Sequence, residues 1–302
     1  MKPSLSIFLM CHNRPLEARN AIRSILTQSD MDFNLTISDN SSTDEVETLV
    51  KMEFPHVKFV RHRPMNPDHI TYCVQAANTD YICVFHDDDV MSHDYVANMM
   101  KLVTRYPDAV AFASNAKIEY FGKTNREHSF LDYDVEVQIK TPYELAARYF
   151  SRHQLGIAPF PSYIYKRSIA LKIPLEYVRG KYADVIWLLK LALSGDIIWT
   201  NKPLMTYRIH ADSDGQQESR RDRLRLLRFL KNNASWIGQD VLDDYRCSFI
   251  YKPLVMKVKD KNSLKRLIAI NFLSAYTCRR YFRFNTYKSA IKRAWVKIKL
   301  YL

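Results

Sequence analysis

Glycine is scarce in this chain, with six residues in 302. No GxGxxG and no GxxxxGK[ST] can be found, so the loops that bring backbone against a pyrophosphate or cradle phosphates are missing. That argues strongly against dinucleotide dehydrogenases and P-loop enzymes. Cysteine is sparse, odd in number and scattered, at Cys11, Cys73, Cys83, Cys247 and Cys278, with no CxxC pair. The pattern is that of reduced, mostly structural thiols in a cytosolic protein. A long hydrophobic run is also lacking. The most apolar stretch, 185–199, is interrupted by Lys190 and Asp196 and is too short to span a bilayer. Lys2-Pro3 leads into a strand-like run, so no leader peptide is expected. The expectation is a soluble or peripheral protein.

What is present points to a globular chain: 47% of residues are hydrophobic and 13% aromatic, enough for a substantial core. The net charge of +13 is unevenly placed. Residues 1–219 carry 24 Lys and Arg against 27 Asp and Glu, a net of −3. Residues 220–302 carry 21 against 5, a net of +16. A near-neutral body with a strongly basic tail suggests two jobs.

Apolar, β-prone runs at 5–10, 33–38, 57–60, 81–85 and 109–113 read as strands. Helical spacing predicts helices over 15–26, 45–52, 72–77 and 94–105. Strand and helix alternate at intervals of roughly 20 residues, which predicts βαβ units and a mostly parallel sheet. Residues 119–140 read as a loop or irregular hairpin. A helix follows at 141–150, and 157–164, with two prolines, is expected to line a cleft. Residues 184–193 read as a helix stopped by Ser194-Gly195, with strands at 197–199 and 203–210. Helices rich in cations are expected at 223–230 and 288–300.

One stretch stands out, Tyr81-Ile82-Cys83-Val84-Phe85-His86-Asp87-Asp88-Asp89. A buried strand that runs into three carboxylates must meet a compensating cation or ample water. Open α/β sheets bind ligands outside the carboxyl ends of their strands. Oxygen ligands of this kind suit Mg2+ or Mn2+ beside a substrate's phosphates. A second acid, Asp39, closes another strand, and Tyr207-Arg208-Ile209-His210 follows much later.

These blocks, taken in order, resemble the family 2 glycosyltransferases over about residues 4–213. The first is Ser6-Ile7-Phe8-Leu9-Met10-Cys11-His12-Asn13-Arg14, and the second Ile37-Ser38-Asp39-Asn40-Ser41-Ser42-Thr43-Asp44. The third runs from Ala77-Asn78-Thr79-Asp80-Tyr81-Ile82 to Asp87-Asp88-Asp89. The last runs from Tyr182-Ala183-Asp184 to Tyr207-Arg208-Ile209-His210. The resemblance implies a GT-A fold, α/β and Rossmann-like, with a glycosyltransferase domain at 1–215 and a basic helical region at 216–302. It implies inverting transfer from a nucleotide-sugar, with UDP the expected nucleotide and Mn2+ or Mg2+ the cofactor.

Site roles follow from the same resemblance. Cys11, His12, Asn13, Arg14, Asp39, Asp87, Asp88 and Arg208 would contact the donor nucleotide. Asp89 and His210 would hold the metal, and Asp184 would be the catalytic base. The family's usual Glu-Asp is Ala183-Asp184 here, and its usual Ala-Arg-Asn stretch is replaced by Asn66-Pro67-Asp68-His69-Ile70-Thr71-Tyr72. No Gln-x-x-Arg-Trp is present, which favours single addition over a processive synthase.

The tail at 287–300 places apolar residues on one helical face and cations on the other, as for a helix in an anionic bilayer interface. With the resemblance, this suggests a glycan or polyprenyl-diphosphate-linked glycan acceptor, at the inner face of the cell membrane. No nucleic acid is expected. Two further readings are a sugar nucleotidyltransferase and a non-catalytic basic adaptor. The first lacks a glycine- and lysine-rich activating loop, and the second would need no nucleotide pocket.

Overall fold

The computed structural model describes residues 2–63, 65–66, 68–120, 123–130, 135–151, 156–210 and 219–258. The chain opens with β1 (Leu5–Cys11), α1 (Pro15–Leu26), β2 (Asn34–Asp39), α2 (Glu45–Glu53), β3 (Lys58–Arg61), α3 (His69–Ala76) and β4 (Tyr81–His86). Here the alternation read from the sequence is realised. Pro15 sits where its missing N–H costs nothing. Ala18, Ala21, Ile22 and Ile25 give α1 one buried face at helical spacing. The helix α3 starts three residues ahead of the expected position, because His69 and Ile70 turn inward and are buried.

A short β5 (Val90–Met91) leads to α4 (Tyr95–Arg105) and then to β6 (Ala111–Tyr120), which is twice the expected length. The excess runs from Ser114 to Tyr120, a mostly polar stretch in which no apolar run betrays a strand. The strand β7 (Lys123–Ser129) returns antiparallel along β6, so a hairpin lies within 119–140. Next come β8 (Val137–Ile139), α5 (Pro142–Phe150), β9 (Ile164–Lys166), α6 (Arg167–Ala170) and α7 (Ala183–Leu191). The two strands expected at 197–199 and 203–210 are one, β10 (Ile197–Ile209), with register shifts around Pro203. Pro203 has no N–H to give the ladder, which suits an irregular point. The helices α8 (Arg220–Asn232), α9 (Ala234–Ile237) and α10 (Gln239–Val258) follow.

The sheet runs β3-β2-β1-β4-β9-β6-β10-β5, with β7 beside β6 and β8 beside β10. The four strands from β3 to β4 are parallel. Beyond them β9 is antiparallel to both neighbours, and β6 and β10 are parallel to each other. Leu5, Ile7, Leu9, Cys83 and Phe85 form one core with the inner faces of α1 and α4. Phe8, Ile82 and Val84 are buried on the opposite face of the same strands, as expected of parallel sheets. Truncating a residue such as Ile22 to Ala would cost roughly 2–5 kcal/mol. Gly195, which stops α7, is required by space: a Cβ there would lie 2.7 Å from Val110 Cγ1.

Two compact units are distinguished, Met1–Leu145 with Leu155–Arg223, and Ala146–Gln154 with Leu224–Leu302. The expected boundary at 215/216 and the expected helix at 288–300 lie outside the described residues. In the second unit, Phe150 packs edge-on to Tyr245 and Phe229 to Trp236. No helix among the described residues is long and apolar enough to cross a membrane.

Candidate active site

Register places the ends of the parallel strands level. Cys11 stands opposite Asp39, and Met10 opposite His86. The chain therefore leaves β1, β2 and β4 at one carboxyl edge, with the acidic triplet among them. Asp87–Asp89 form a tight turn between β4 and β5, closed by the Asp89 N–H donating to the His86 carbonyl. The short β5 pairs with β10, Val90 opposite Thr206. That pairing carries Arg208 and His210 to the turn.

Each carboxylate of the triplet has a different environment. Asp87 is fully buried. Its Oδ2 accepts the His12 N–H at 2.8 Å, and its Oδ1 lies 2.6 Å from Arg14 Nη2. Asp88 Oδ2 accepts from Arg14 Nη1 at 2.8 Å and lies 3.0 Å from His210 Nε2. Asp89 Oδ1 accepts the Arg208 N–H at 2.9 Å. Its Oδ2 is buried and has no hydrogen-bond partner among the described residues.

The charges respond accordingly. Burial pushes Asp87 up to about 6, against the pull of Arg14. Burial raises Asp89 well above the ordinary range, and the charge of Asp88 adds to it. Burial acts on Asp88 too, but His86, Arg14 and the His210 hydrogen bond outweigh it and hold its carboxyl low. Three clustered carboxylates thus meet one guanidinium, and the turn is short of positive charge.

His86, Asp88 and Asp89 each offer a donor atom, all within 4.8 Å of one another. With the orphaned Asp89 Oδ2, this set fits a divalent cation. Of the residues at this turn, Asp89 and His210 are the pair expected from the sequence to hold the metal. Asp89 is in the donor group, His210 rests on Asp88, and His86 stands beside them. Sequence reasoning gives His86 no role. The available signal is its position directly before the triplet, three residues from Asp89, the span of a β-turn.

The other expected donor contacts are partly committed within the protein. Cys11 is buried, its thiol on the Leu9 carbonyl, and burial pushes that thiol far up. Its own carbonyl accepts the Asn40 N–H. His12 Nδ1 lies 2.9 Å from the Asn40 carbonyl oxygen. Asn13 adopts φ 54°, a left-handed conformation that Asn tolerates. It is held by its N–H to Ser41 Oγ and by its side chain accepting the Ser42 N–H, both 2.8 Å. Asp39 is fully buried, with Oδ1 accepting from the Ser41 N–H and Oδ2 2.9 Å from Arg61 Nη1. Arg208 points its guanidinium at Glu119, 3.3 Å away, so its backbone rather than its side chain serves the triplet.

Asp184 stands in the first turn of α7, half-buried, with Oδ1 accepting the Val185 N–H at 2.7 Å. Trp187, three residues on and so on the same helix face, packs 6.2 Å from Phe160. Phe160 in turn lies 6.2 Å from the His86 ring. The 157–164 segment thus reaches the acidic turn through Phe160. The loop after β3 is fastened as well: Asn40 accepts the Asn66 N–H at 2.7 Å and donates to the Asn66 carbonyl.

In sequence, the profile of Glycosyl transferase family 2 matches residues 6–173. No curated protein matches the chain. Among solved structures, S. aureus TarS is similar over 82% of this chain and 47% of its own, at 13% identity and a TM-score of 0.53. The chain therefore spans about half the length of that protein. TarS 1-349 in complex with UDP is similar over 93% of both chains, at 13% identity and a TM-score of 0.55. The mannosyltransferase PcManGT from Pyrobaculum calidifontis, in complex with GDP-Man and Mn2+, covers 99% of this chain and 81% of its own. Its identity is 11% and its TM-score 0.57. At these identities the likeness is one of fold, the GT-A arrangement.

Proposed function

The chain belongs to glycosyl transferase family 2, and from that premise we propose that it is an inverting, metal-dependent glycosyltransferase. It moves a sugar from a nucleotide-sugar, with UDP the expected nucleotide, to a hydroxyl of a glycan or lipid-linked glycan in surface polysaccharide synthesis. The observation that carries the reading is the acidic turn. A buried, unpartnered Asp89 Oδ2 lies beside His86 and Asp88 at the carboxyl edge where nucleotides dock.

In this reading Asp184 takes the proton of the acceptor hydroxyl as that oxygen forms its bond to the anomeric carbon. The bond to the nucleoside diphosphate breaks on the opposite face, so an α-linked donor gives a β-glycoside. His12, Asn13 and Arg14 line the diphosphate side, and Asp39 the base side. A divalent cation held by Asp89, with Asp88 and His86, would offset charge on the departing diphosphate. Arg14 is shared between Asp87 and Asp88 and leaves the turn short of positive charge, so the turn can accept a divalent cation together with a phosphate group.

Thermal-shift titration of UDP, GDP and dTDP, each with and without Mn2+, tests this. Stabilisation by UDP that needs Mn2+ and vanishes in Asp89→Asn is the expected result. No shift with any nucleotide would overturn the donor site.

We place the acceptor at the inner face of the cell membrane. Supporting this, α8 exposes Arg221, Arg225, Arg228 and Lys231 at intervals of four, three and three residues, while Leu226, Leu227 and Leu230 are buried. Such a stripe suits an anionic lipid surface. Co-sedimentation with phosphatidylglycerol vesicles, absent with phosphatidylcholine and lost in Arg221→Ser/Arg228→Ser, is expected. Equal recovery with both lipids would overturn it.

A further inference from the structure

The acidic turn carries one donor that differs in kind from the rest. Carboxylates bind Mg2+ and Mn2+ through oxygen with little distinction. Imidazole nitrogen favours first-row transition ions, whereas Mg2+ prefers oxygen and keeps its waters. His86 is fixed at both ends of its environment. The Asp89 N–H to His86 carbonyl bond sets the turn, and the ring faces Phe160 at 6.2 Å. Its donor atom lies within 4.8 Å of those of Asp88 and Asp89. Ligands on opposite sides of a small divalent cation stand about 4.2 Å apart, twice a bond of about 2.1 Å. The unpartnered Asp89 Oδ2, in a residue only 1% exposed, is a second observation that points to a cation ligand.

Two neighbouring groups narrow the choice of ligands. Arg14 already engages Asp87 and one oxygen of Asp88, so it occupies one side of the triplet. His210 Nε2 is 3.0 Å from that same Asp88 oxygen, close enough to share a proton with it.

We infer that His86 sets which divalent cation this site accepts, selecting Mn2+ over Mg2+, while His210 only positions Asp88. The inference rests on the donor-site reading and deepens it from a divalent metal to a selective one.

The test uses the full chain stripped of metal, titrated with Mn2+ and followed by the electron paramagnetic resonance of free Mn2+. Mg2+ is then added as competitor, without nucleotide and with UDP. His86→Asn should weaken Mn2+ by at least about tenfold, since even the loss of a ligand's outer partner costs about 10–100-fold. The concentration of Mg2+ needed to compete should fall in proportion, with Mg2+ affinity itself moving less than about threefold. His86→Asp, which keeps a ligand but exchanges nitrogen for oxygen, should narrow the Mn2+ preference in the same direction. His210→Asn should shift both ions by one common factor.

An unchanged Mn2+ to Mg2+ ratio in both His86 variants overturns the inference, as does a collapse of that ratio in His210→Asn alone. No Mn2+ binding by wild type, with or without UDP, overturns the donor-site reading itself. Equal melting temperatures of the metal-free proteins show that the variants report on the site rather than on folding.

Discussion

Asp39 and Asp89 are both buried acids at the carboxyl edge of one sheet, yet they are built oppositely. Asp39 is closed from within. Ser41 donates to Oδ1, and Arg61 lies on Oδ2 while also donating to the Ser41 and Thr43 carbonyls. Asp89 receives one backbone N–H, and the Arg14 guanidinium goes to its neighbours Asp87 and Asp88. A buried carboxylate must be paired or else resist ionisation. One corner of the edge is therefore electrostatically finished and the other waits for a cation. The first corner carries its own counter-charge, and the second does not.

The sharpest way to break this contrast is Asp89→Asn. Activity should fall by about 10³-fold or more, some 4 kcal/mol. Yet the metal-free variant should melt higher than wild type at neutral pH. The folded Asp89 carboxyl is raised above its unfolded value, so its stabilising contribution is complete only below that unfolded value. It is lost as pH rises through the folded value, and a neutral Asn escapes that loss. A lower melting temperature at pH 7 would mean that Asp89 is not short of a partner.

The closed corner predicts the reverse behaviour. Arg61→Met leaves Asp39 buried without its cation, which should cost about 3–5 kcal/mol in urea denaturation. Asp39→Asn in the same chain should recover part of that loss. If Arg61→Met proves neutral, the closure of this corner is not electrostatic.

The contrast was only half legible in the sequence. The strands β1, β2 and β4 and the helix α1 declare themselves, since apolar runs and helical spacing act locally. The acidic triplet is visible because three carboxylates in a row are improbable in a folded chain without a partner. The partners themselves are not visible. Arg208 stands opposite Glu119 only through the β6–β10 register, and β6 hides its polar half from any pattern of burial. Arg61 meets Asp39 because β2 and β3 are in step, which no spacing reveals. His86 does not stand out in the sequence because a strand's last side chain can face either way until the turn beyond it is known.

Acid should separate the two corners further. Next to Asp39, the Ser38 hydroxyl lies 2.7 Å from His69 Nε2 and 3.0 Å from His62 Nε2. A hydroxyl has one proton, so it donates to one ring and accepts from the other only while at least one ring is neutral. Burial, with the neighbouring histidines His62, His86 and His12, lowers His69 to about 4 from an ordinary 6.5. Stability from this group is present above pH 6.5 and lost as pH falls through 4, worth up to about 3 kcal/mol. His69→Phe should flatten most of that slope in melts run between pH 4 and 7. Asp87, raised to about 6, acts with the opposite sign and favours the folded state at low pH. An unchanged slope in His69→Phe would show that the closed corner does not carry the acid sensitivity.

The smallest expected effect lies where the first two loops meet. Ser41 Oγ accepts the Asn13 N–H and donates to Asp39 Oδ1, so one hydroxyl links the left-handed Asn13 to the closed acid. Ser41→Ala removes both bonds but leaves the Ser41 backbone N–H on Asp39 and the Ser42 N–H on Asn13. The cost should be about 1–2 kcal/mol, the range of a hydrogen bond whose partners stay partly satisfied. Nucleotide affinity should fall further than this stability loss suggests, because Asn13 lies between His12 and Arg14, both of which grip the acidic turn. Parallel losses in affinity and stability would make Ser41 merely part of the scaffold. A loss confined to affinity would show that the closed corner holds the open one in place.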